Sequence, residues 1–302
     1  MYYNKFKHFL SVLFILTCLI ANLYASPLKV VAITEDFASI AKSIGGDKVE
    51  IKSLVKGSRN LHHITPKPSM VMMMRKADLL IRLGMDQDSW IDGLIQVARN
   101  NKIFFGKKGY LDCSHEIKKR EIPTTHINGS MGDVHKSGNP HYWLNPNNGK
   151  IIAREIKDRL VIMDPQNEQF YSDNYISFSR KIDLKLKEWK EKIAPYKDFQ
   201  IVTYHKVWSY FFDVFGLHSI GELEPLPGIP PTSRHLMNLE TTLKKIQSPK
   251  LVLAASFYPK QVGESFSKKI DAKYVSVPIN VGSLGIKSYI GLFDYLVEEI
   301  SK

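Results

Sequence analysis

Short runs of Val, Ile and Leu alternate along the chain with stretches whose apolar residues recur at helical spacing. The apolar runs predict strands at 28–34, 49–55, 78–84, 102–105, 200–205, 218–223, 250–256 and 273–278. The intervening stretches predict helices at 35–46, 68–77, 88–100, 206–216, 232–246, 259–270 and 283–302. Continuous apolar strands that alternate with helices are typical of parallel sheets with crossover connections. The pattern therefore predicts an α/β protein with mainly parallel sheets and flanking helices.

A different pattern separates the two halves of this alternation. Asp164 and Pro165 have the residue types of a helix cap and a first-turn proline, and Pro195 marks an end. Between them, apolar residues recur every three or four positions, at Tyr171, Tyr175, Phe178, Ile182, Leu186, Trp189 and Ile193. We predict one long, rigid helix that joins two α/β lobes, although an ordinary long surface helix would show the same stripe.

The first 25 residues have the pattern of a secretory signal peptide. Lys5 and Lys7 begin the segment, an apolar run covers 9–21, and the small residue Ala25 follows. The run is short for a membrane span, which needs about 20 residues. We expect cleavage after Ala25 and export, with a retained anchor or a lipid anchor on Cys18 as alternatives. The expected division of the chain is a signal peptide (1–25), an N-terminal lobe (26–163), a linking helix (164–195) and a C-terminal lobe (196–302).

Charge and cysteine content restrict the function classes of the exported chain. Removing the two leader lysines reduces the formal net charge from +12 to +10. The lysines are dispersed rather than interleaved with aromatic residues, so nucleic acid is not an expected partner. Cys113 is the only cysteine after residue 25, which excludes an intramolecular disulfide in the mature chain.

Histidines in three sequence contexts are candidates for a functional site. His62 and His63 follow the second predicted strand, His141 lies in the proline-framed stretch GNPHYWLNP (138–146), and His205 ends the run QIVTYH. Ligands of open α/β sheets bind beyond the carboxyl ends of strands, and convergent imidazoles suit Zn²⁺. Adjacent side chains point in different directions, so we expect one of His62 and His63 to serve the site. The alternative is a buried aromatic turn with incidental histidines.

The sequence around these histidines resembles a known family. HHITPKPS (62–69) is similar to the family pattern PH-x-Y-E-P-x-P-S, with His62 on its histidine, and GNPHYWLNP is close to D/N-P-H-x-W-L-D-P. YHKVWSYFFDVFGL and GELEPLPGIPPTSRHL also look like the stretches that follow in the family. The family is the metal-binding (solute-binding) proteins of zinc and manganese ABC transporters, and the resemblance covers about residues 28–300.

The resemblance implies two α/β lobes joined by one long helix, with a metal bound in the cleft between them. It implies that His62, rather than His63, joins His141 and His205 as a ligand. The implied role is to capture a metal ion outside the cytoplasmic membrane, in the periplasm, and to deliver it to an ABC permease for import. We expect a monomer that is peripheral to the membrane through the permease and has no enzymatic activity.

The chain departs from the family at the fourth ligand, which is usually a carboxylate near the C-terminus. No acid lies between Asp271 and Asp294, which leaves Asn280, Glu222, Glu224 or water as candidates. Zinc accepts three histidines and a water, whereas harder ions need more oxygen ligands, so the departure favours Zn²⁺ over Mn²⁺ or Fe²⁺ as cargo.

Three further histidines lie between the first two motifs, at His115, His126 and His135. Zinc-binding members of the family often carry a histidine-rich loop here that is thought to gather metal, and His135 is the best placed to approach the site. The alternative is a solvated loop with incidental histidines.

Two other functions compete with metal transport. Three histidines and a water also suit a zinc hydrolase, but the chain lacks H-E-x-x-H and has no acid close to His62 or His141 to serve as a general base. A surface adhesin on the same fold would need an exposed attachment, which the leader does not favour. We therefore expect a zinc-binding transport protein rather than a hydrolase or an adhesin.

Overall fold

The computed structural model describes residues 26–57, 59–127 and 131–302, so the expected signal peptide lies outside the described residues. The first sheet contains β1 (Leu28–Thr34), β2 (Val49–Val55), β3 (Leu79–Arg82) and β4 (Tyr110–Asp112) in the order β2-β1-β3-β4. All its pairings are parallel. The central strands are buried on both faces, which is why β1 and β3 are continuous apolar runs rather than alternating ones.

A second sheet of the same design follows later in the chain. It contains β5 (Gln200–Thr203), β6 (Ser219–Glu222), β7 (Lys250–Ala255) and β8 (Lys273–Val277) in the order β6-β5-β7-β8, again parallel throughout. In both sheets the third strand in sequence pairs with the first, so the first strand lies between the second and the third. The predicted fold class, two parallel-sheet α/β lobes, is confirmed.

Helices flank both sheets. They are α1 (Glu35–Gly45), α2 (Pro68–Arg75), α3 (Ile91–Ala98), α4 (Pro146–Met163), α5 (Glu168–Ile193), α6 (Ser209–Phe215), α7 (Ser233–Lys244), α8 (Lys260–Lys269) and α9 (Tyr289–Ser301). None of the helices in the described part of the chain is both long and apolar enough to cross a membrane.

The long helix is present and links the two lobes. Helix α5 runs for 26 residues between short 3₁₀ turns at Pro165–Asn167 and Ala194–Tyr196, which is about 39 Å at 1.5 Å per residue. It packs against α1, α4 and α9. Asn174 donates to the carbonyl of Ile44 at 2.9 Å, and Trp189 Nε1 donates to Asp294 Oδ1 at 3.0 Å. The exact lobe boundaries at residues 163 and 196 stay a proposal.

Two local predictions were wrong. The stretch 102–105 is not a strand: Asn101–Ile103 forms a 3₁₀ turn, Phe105 is 82% exposed, and the strand lies later, at Tyr110–Asp112. Helix α4 was not predicted at all, since only the proline-framed stretch 138–146 at its start was considered in the sequence. Asn145 caps this helix by accepting from the Asn147 amide at 2.9 Å, and Pro146 occupies its first turn.

Candidate metal centre

The three predicted histidines come from separate parts of the fold and meet. His62 lies in the 3₁₀ turn after β2, His141 begins the turn that leads into α4, and His205 lies two residues beyond β5. The ring centroids are 5.7 Å apart for His62–His141, 5.6 Å for His62–His205 and 5.9 Å for His141–His205. One nitrogen of each ring lies within 4.8 Å of the others. A small inward movement of the three rings would let all three nitrogens bind a single ion.

His62 is held by its own turn. Asn60 caps the turn by accepting from the His62 amide at 3.0 Å. The ring is 6% exposed, with Nδ1 3.7 Å from Asp133 Oδ2, and Nε2 is buried without a hydrogen-bond partner among the described residues. Burial, together with the neighbouring histidines, lowers the pKa of His62 to about 2. The ring is therefore neutral at physiological pH and able to bind a metal.

His141 is oriented by the residue two places before it. Asn139 Oδ1 lies 3.0 Å from the His141 amide and 2.9 Å from its Nδ1. The Asn139 amide group donates to Glu121 Oε2 at 2.8 Å and to the Lys206 carbonyl at 2.7 Å, which fixes its oxygen towards the imidazole. This network assigns the proton of His141 to Nδ1 and leaves Nε2 for a ligand. Burial lowers the pKa of His141 well below its usual value.

The aromatic residues after His141 lock its turn into the core. Tyr142 donates to the Leu83 carbonyl at 2.7 Å, and Trp143 Nε1 donates to the Ile279 carbonyl at 2.9 Å. Tyr289, at the start of α9, donates to the Trp143 carbonyl at 2.5 Å. The segment is therefore a buried aromatic turn, and it places His141 beside His62 and His205.

His205 is oriented by a carboxylate. Its ring is 3% exposed, and Nδ1 lies 2.6 Å from Glu224 Oε2. The same oxygen accepts from the Gly228 amide at 2.8 Å, and the ring stacks on Tyr258 at 5.8 Å. Glu224 was a candidate fourth ligand in the sequence. In the structure it instead contacts Nδ1 of His205, which leaves Nε2 of His205 available for a metal.

The other candidates for the fourth position lie in different surroundings. The Asn280 amide group donates to Asp36 Oδ2 at 2.8 Å, and burial raises the pKa of Asp36 to about 6. Glu222 is half-buried, and burial raises its pKa. It lines a cavity of about 270 Å³ that also borders His135, His141 and His205.

The other histidines considered in the sequence lie in two kinds of environment. His63, His115 and His126 are exposed, and His63 is outside the group of converging nitrogens. His135 is the exception, because its ring centroid lies 5.1 Å from that of His62. Sequence reasoning missed Asn139 as the partner of His141 and Asp133 as a neighbour of His62, although Asn139 stands two residues before His141 within the recognised motif.

A family comparison decides the identity. The sequence model described as "ZnuA: Zinc-uptake complex component A periplasmic" matches residues 30–302. The chain belongs to the ZnuA family. It is a metal-binding, substrate-binding protein of an ABC transporter rather than an enzyme.

Curated relatives of this ZnuA family member are named for manganese or for an unspecified metal. The manganese ABC transporter substrate-binding lipoprotein PsaA of Streptococcus anginosus is 29% identical over 257 residues, which cover 82% of this chain and 80% of the relative. The metal ABC transporter substrate-binding lipoprotein SsaB of Streptococcus sanguinis is 28% identical over 312 residues, 97% of each chain.

Solved structures share the fold of this ZnuA family member. A crystal structure of ZnuA has a TM-score of 0.75 at 19% identity and covers 91% of this chain and 98% of that one. A Mn-bound periplasmic metal-binding protein from Candidatus Liberibacter asiaticus has a TM-score of 0.74 at 18% identity, with the same coverage. These similarities confirm the fold, and they do not identify the metal that this chain binds.

Proposed function

We propose that this protein captures Zn²⁺ with His62, His141 and His205 and delivers it to an ABC permease outside the cytoplasmic membrane. The observation that carries the proposal is the convergence of three imidazole nitrogens within 4.8 Å of one another. For His141 and His205 the other ring nitrogen is held by a side-chain oxygen. Such partners fix the tautomer and raise the basicity of a ligand imidazole.

The residues present fit a metal ion. The buried, unpartnered Nε2 of His62 would cost about 1–3 kcal/mol of desolvation without a partner, and a bound cation supplies one. The low pKa of His62 keeps that nitrogen unprotonated. Because charged imidazoles would repel a cation, neutral rings in a buried site favour its capture.

The donor set favours zinc over manganese, although relatives such as PsaA are named for manganese. The converging atoms are all nitrogen, and the Glu224 oxygen beside His205 already bonds His205 and Gly228. The Asn280 amide nitrogen donates to Asp36, and Asn280 Oδ1 is the one neutral side-chain oxygen among the sequence candidates, buried without a partner among the described residues. Manganese prefers oxygen ligands and lies below zinc in intrinsic affinity for nitrogen sites. Zinc accepts three histidines with a fourth ligand still to be added.

Competition between the two metals tests the proposal. Metal-free protein is titrated with Zn²⁺ in the presence of excess Mn²⁺, and protein purified without added metal is analysed for its metal content. We expect zinc to bind with the same stoichiometry in excess manganese and to be the metal retained on purification. Displacement of zinc by manganese at comparable concentration would contradict the assignment.

Export is part of the same proposal, and it rests on the leader sequence and on the description of the family as periplasmic. N-terminal analysis of the mature protein discriminates the two modes of export. A chain that begins at Ser26 is a freely exported protein, whereas one that begins at a lipid-modified Cys18 is anchored, as the names of the streptococcal relatives state for those proteins.

A further inference from the structure

A short segment crosses the site between the two lobes. Residues 131–138, which we call the strap, are tied to the second lobe by the Asp133 amide, which donates to the Pro227 carbonyl at 2.7 Å. They are tied to the first lobe by Ser137, whose hydroxyl donates to Asp86 Oδ2 at 3.1 Å. The strap therefore lies over the cleft with one attachment on each side.

The strap places His135 beside the three histidines. Its ring centroid is 5.1 Å from that of His62, closer than either His141 at 5.7 Å or His205 at 5.6 Å. His135 Nε2 is buried and has no hydrogen-bond partner among the described residues, and the same is true of His62 Nε2. Buried polar atoms are nearly always paired. Two unpaired imidazole nitrogens on neighbouring rings indicate a shared partner that accepts nitrogen lone pairs.

We propose that His135 is the fourth protein ligand of the metal, so that the site has four imidazoles in place of three and a carboxylate. The proposal rests on the proposed function above. His135 lies outside the group whose nitrogens are all within 4.8 Å, so the strap moves inward when the metal binds. Gly132 and Gly138 lie near the two ends of the strap and have φ values of +68° and +96°. Residues other than glycine rarely adopt these backbone conformations, so the path of the strap depends on both glycines.

The same movement has a second effect, because the strap also carries Asp133. Its Oδ2 lies 3.7 Å from His62 Nδ1, too far for a hydrogen bond in this conformation. An inward shift brings the carboxylate to His62, as Glu224 is already placed at His205. All-nitrogen coordination then disfavours manganese more strongly than three histidines and a water would.

Cobalt substitution provides the test, because the visible absorption of Co²⁺ reports the number and type of its ligands independently of transport. The full mature protein is compared with His135→Ala and His135→Gln, and the matched controls are His115→Ala and His126→Ala, which remove exposed histidines of the same region. We expect both His135 variants to change the Co²⁺ spectrum and to lower zinc affinity at least about 10-fold, since even outer-shell partners cost about 10–100-fold. The controls are expected to match wild type.

The outcomes separate this inference from the proposed function. Unchanged spectra and unchanged zinc affinity in both His135 variants, with wild-type binding intact, would overturn the role of His135 and leave three-histidine capture standing. Failure of the wild type to bind zinc would instead overturn the proposed function. Thermal unfolding of the metal-free variants shows whether His135→Ala still folds, and His135→Gln, which keeps much of the side-chain volume, decides the matter if it does not.

Discussion

Two adjacent histidines lie in opposite environments. The ring of His62 is buried among the converging imidazoles, whereas His63 is exposed on the same turn. We predict that His62→Ala abolishes high-affinity zinc binding and that His63→Ala leaves it within about two-fold of wild type, well below the tenfold change that 1.4 kcal/mol produces. Isothermal titration with zinc measures both. Equal affinity of His62→Ala and wild type would show that the ligand has been assigned to the wrong residue.

The Glu224 carboxylate is placed to influence a metal bound by His205. Its oxygen holds the proton on His205 Nδ1 at 2.6 Å and also accepts from the Gly228 amide. We predict that Glu224→Gln lowers zinc affinity by about 10–100-fold without changing the stoichiometry, because an outer partner orients a ligand rather than replacing it. Glu188→Gln, which changes an exposed carboxylate on α5, is the matched control. A change in stoichiometry in Glu224→Gln would instead identify Glu224 as a direct ligand.

Asp36 makes stability depend on pH. Burial raises its pKa from 3.8 to about 6, so the folded protein binds this proton more tightly than the unfolded chain does. The contribution is fully present below about pH 4 and is lost as the pH rises through about 6; the shift corresponds to about 3 kcal/mol.

We predict that Asp36→Asn removes much of this pH dependence, because a neutral amide can keep accepting from the Val281 amide. Urea unfolding at pH 4.5 and pH 7.5 measures the free energy of unfolding for each protein. The exposed Asp47→Asn is the control. An equally steep loss of stability in Asp36→Asn between the two pH values would show that other groups cause it.

At the scale of elements, helix α4 connects packing to the site. Gly149 lies against Tyr289: a Cβ at this position would come within 2.7 Å of the Tyr289 hydroxyl, which holds the turn after His141. Glycine to alanine normally stabilises a helix interior by up to about 1 kcal/mol, but here the steric conflict dominates because both the backbone and the ring are buried.

We therefore predict that Gly149→Ala lowers both the melting temperature and the zinc affinity. Gly93→Ala in α3 is the control, because a Cβ there meets no atom within 4 Å, and we expect it to be neutral or stabilising. Differential scanning calorimetry of the metal-free proteins measures the melting temperatures, and titration with zinc measures the affinities. A Gly149→Ala variant as stable as wild type would mean that Tyr289 can move aside without cost.

At the scale of the whole molecule, several connections oppose a large movement of the lobes. Helix α5 contacts elements of both lobes, and the larger of two apolar clusters in the described part of the chain includes residues from Val30 to Ile300. The segment 279–281 bonds to Trp143 and to Asp36, which belong to the N-terminal half of the chain. A hinge would need loop residues that change φ and ψ freely, and a continuous helix does not provide them.

We predict no resolvable fall in the radius of gyration when zinc binds, and small-angle scattering of the metal-free and zinc-loaded protein measures it. His62→Ala with added zinc controls for effects of the metal elsewhere on the surface. A clear fall that is confined to the wild type would show closure of the lobes and contradict a rigid connection. Movement of the strap alone is too small to appear in this measurement.

The sequence determined the fold class and singled out the three candidate histidines. Parallel strands buried on both faces need continuous apolar runs, and a long helix that packs on both lobes needs an apolar stripe, so both are visible in the order of residues. The proline-framed motif of His141 and the strand ends before His62 and His205 pointed to the candidate site for the same reason, since local chemistry and position in a sheet are properties of short segments.

Only the tertiary structure decided which groups support those histidines. Glu224 was a candidate ligand in the sequence and instead bonds Nδ1 of His205. Asp133, which the sequence did not single out, lies near His62 because its segment is tied to Pro227 and Asp86. Pairings between residues tens of positions apart leave no periodic pattern in the chain. They depend on how two sheets and a long helix pack together, and that packing fixes the angles and distances on which metal selectivity depends.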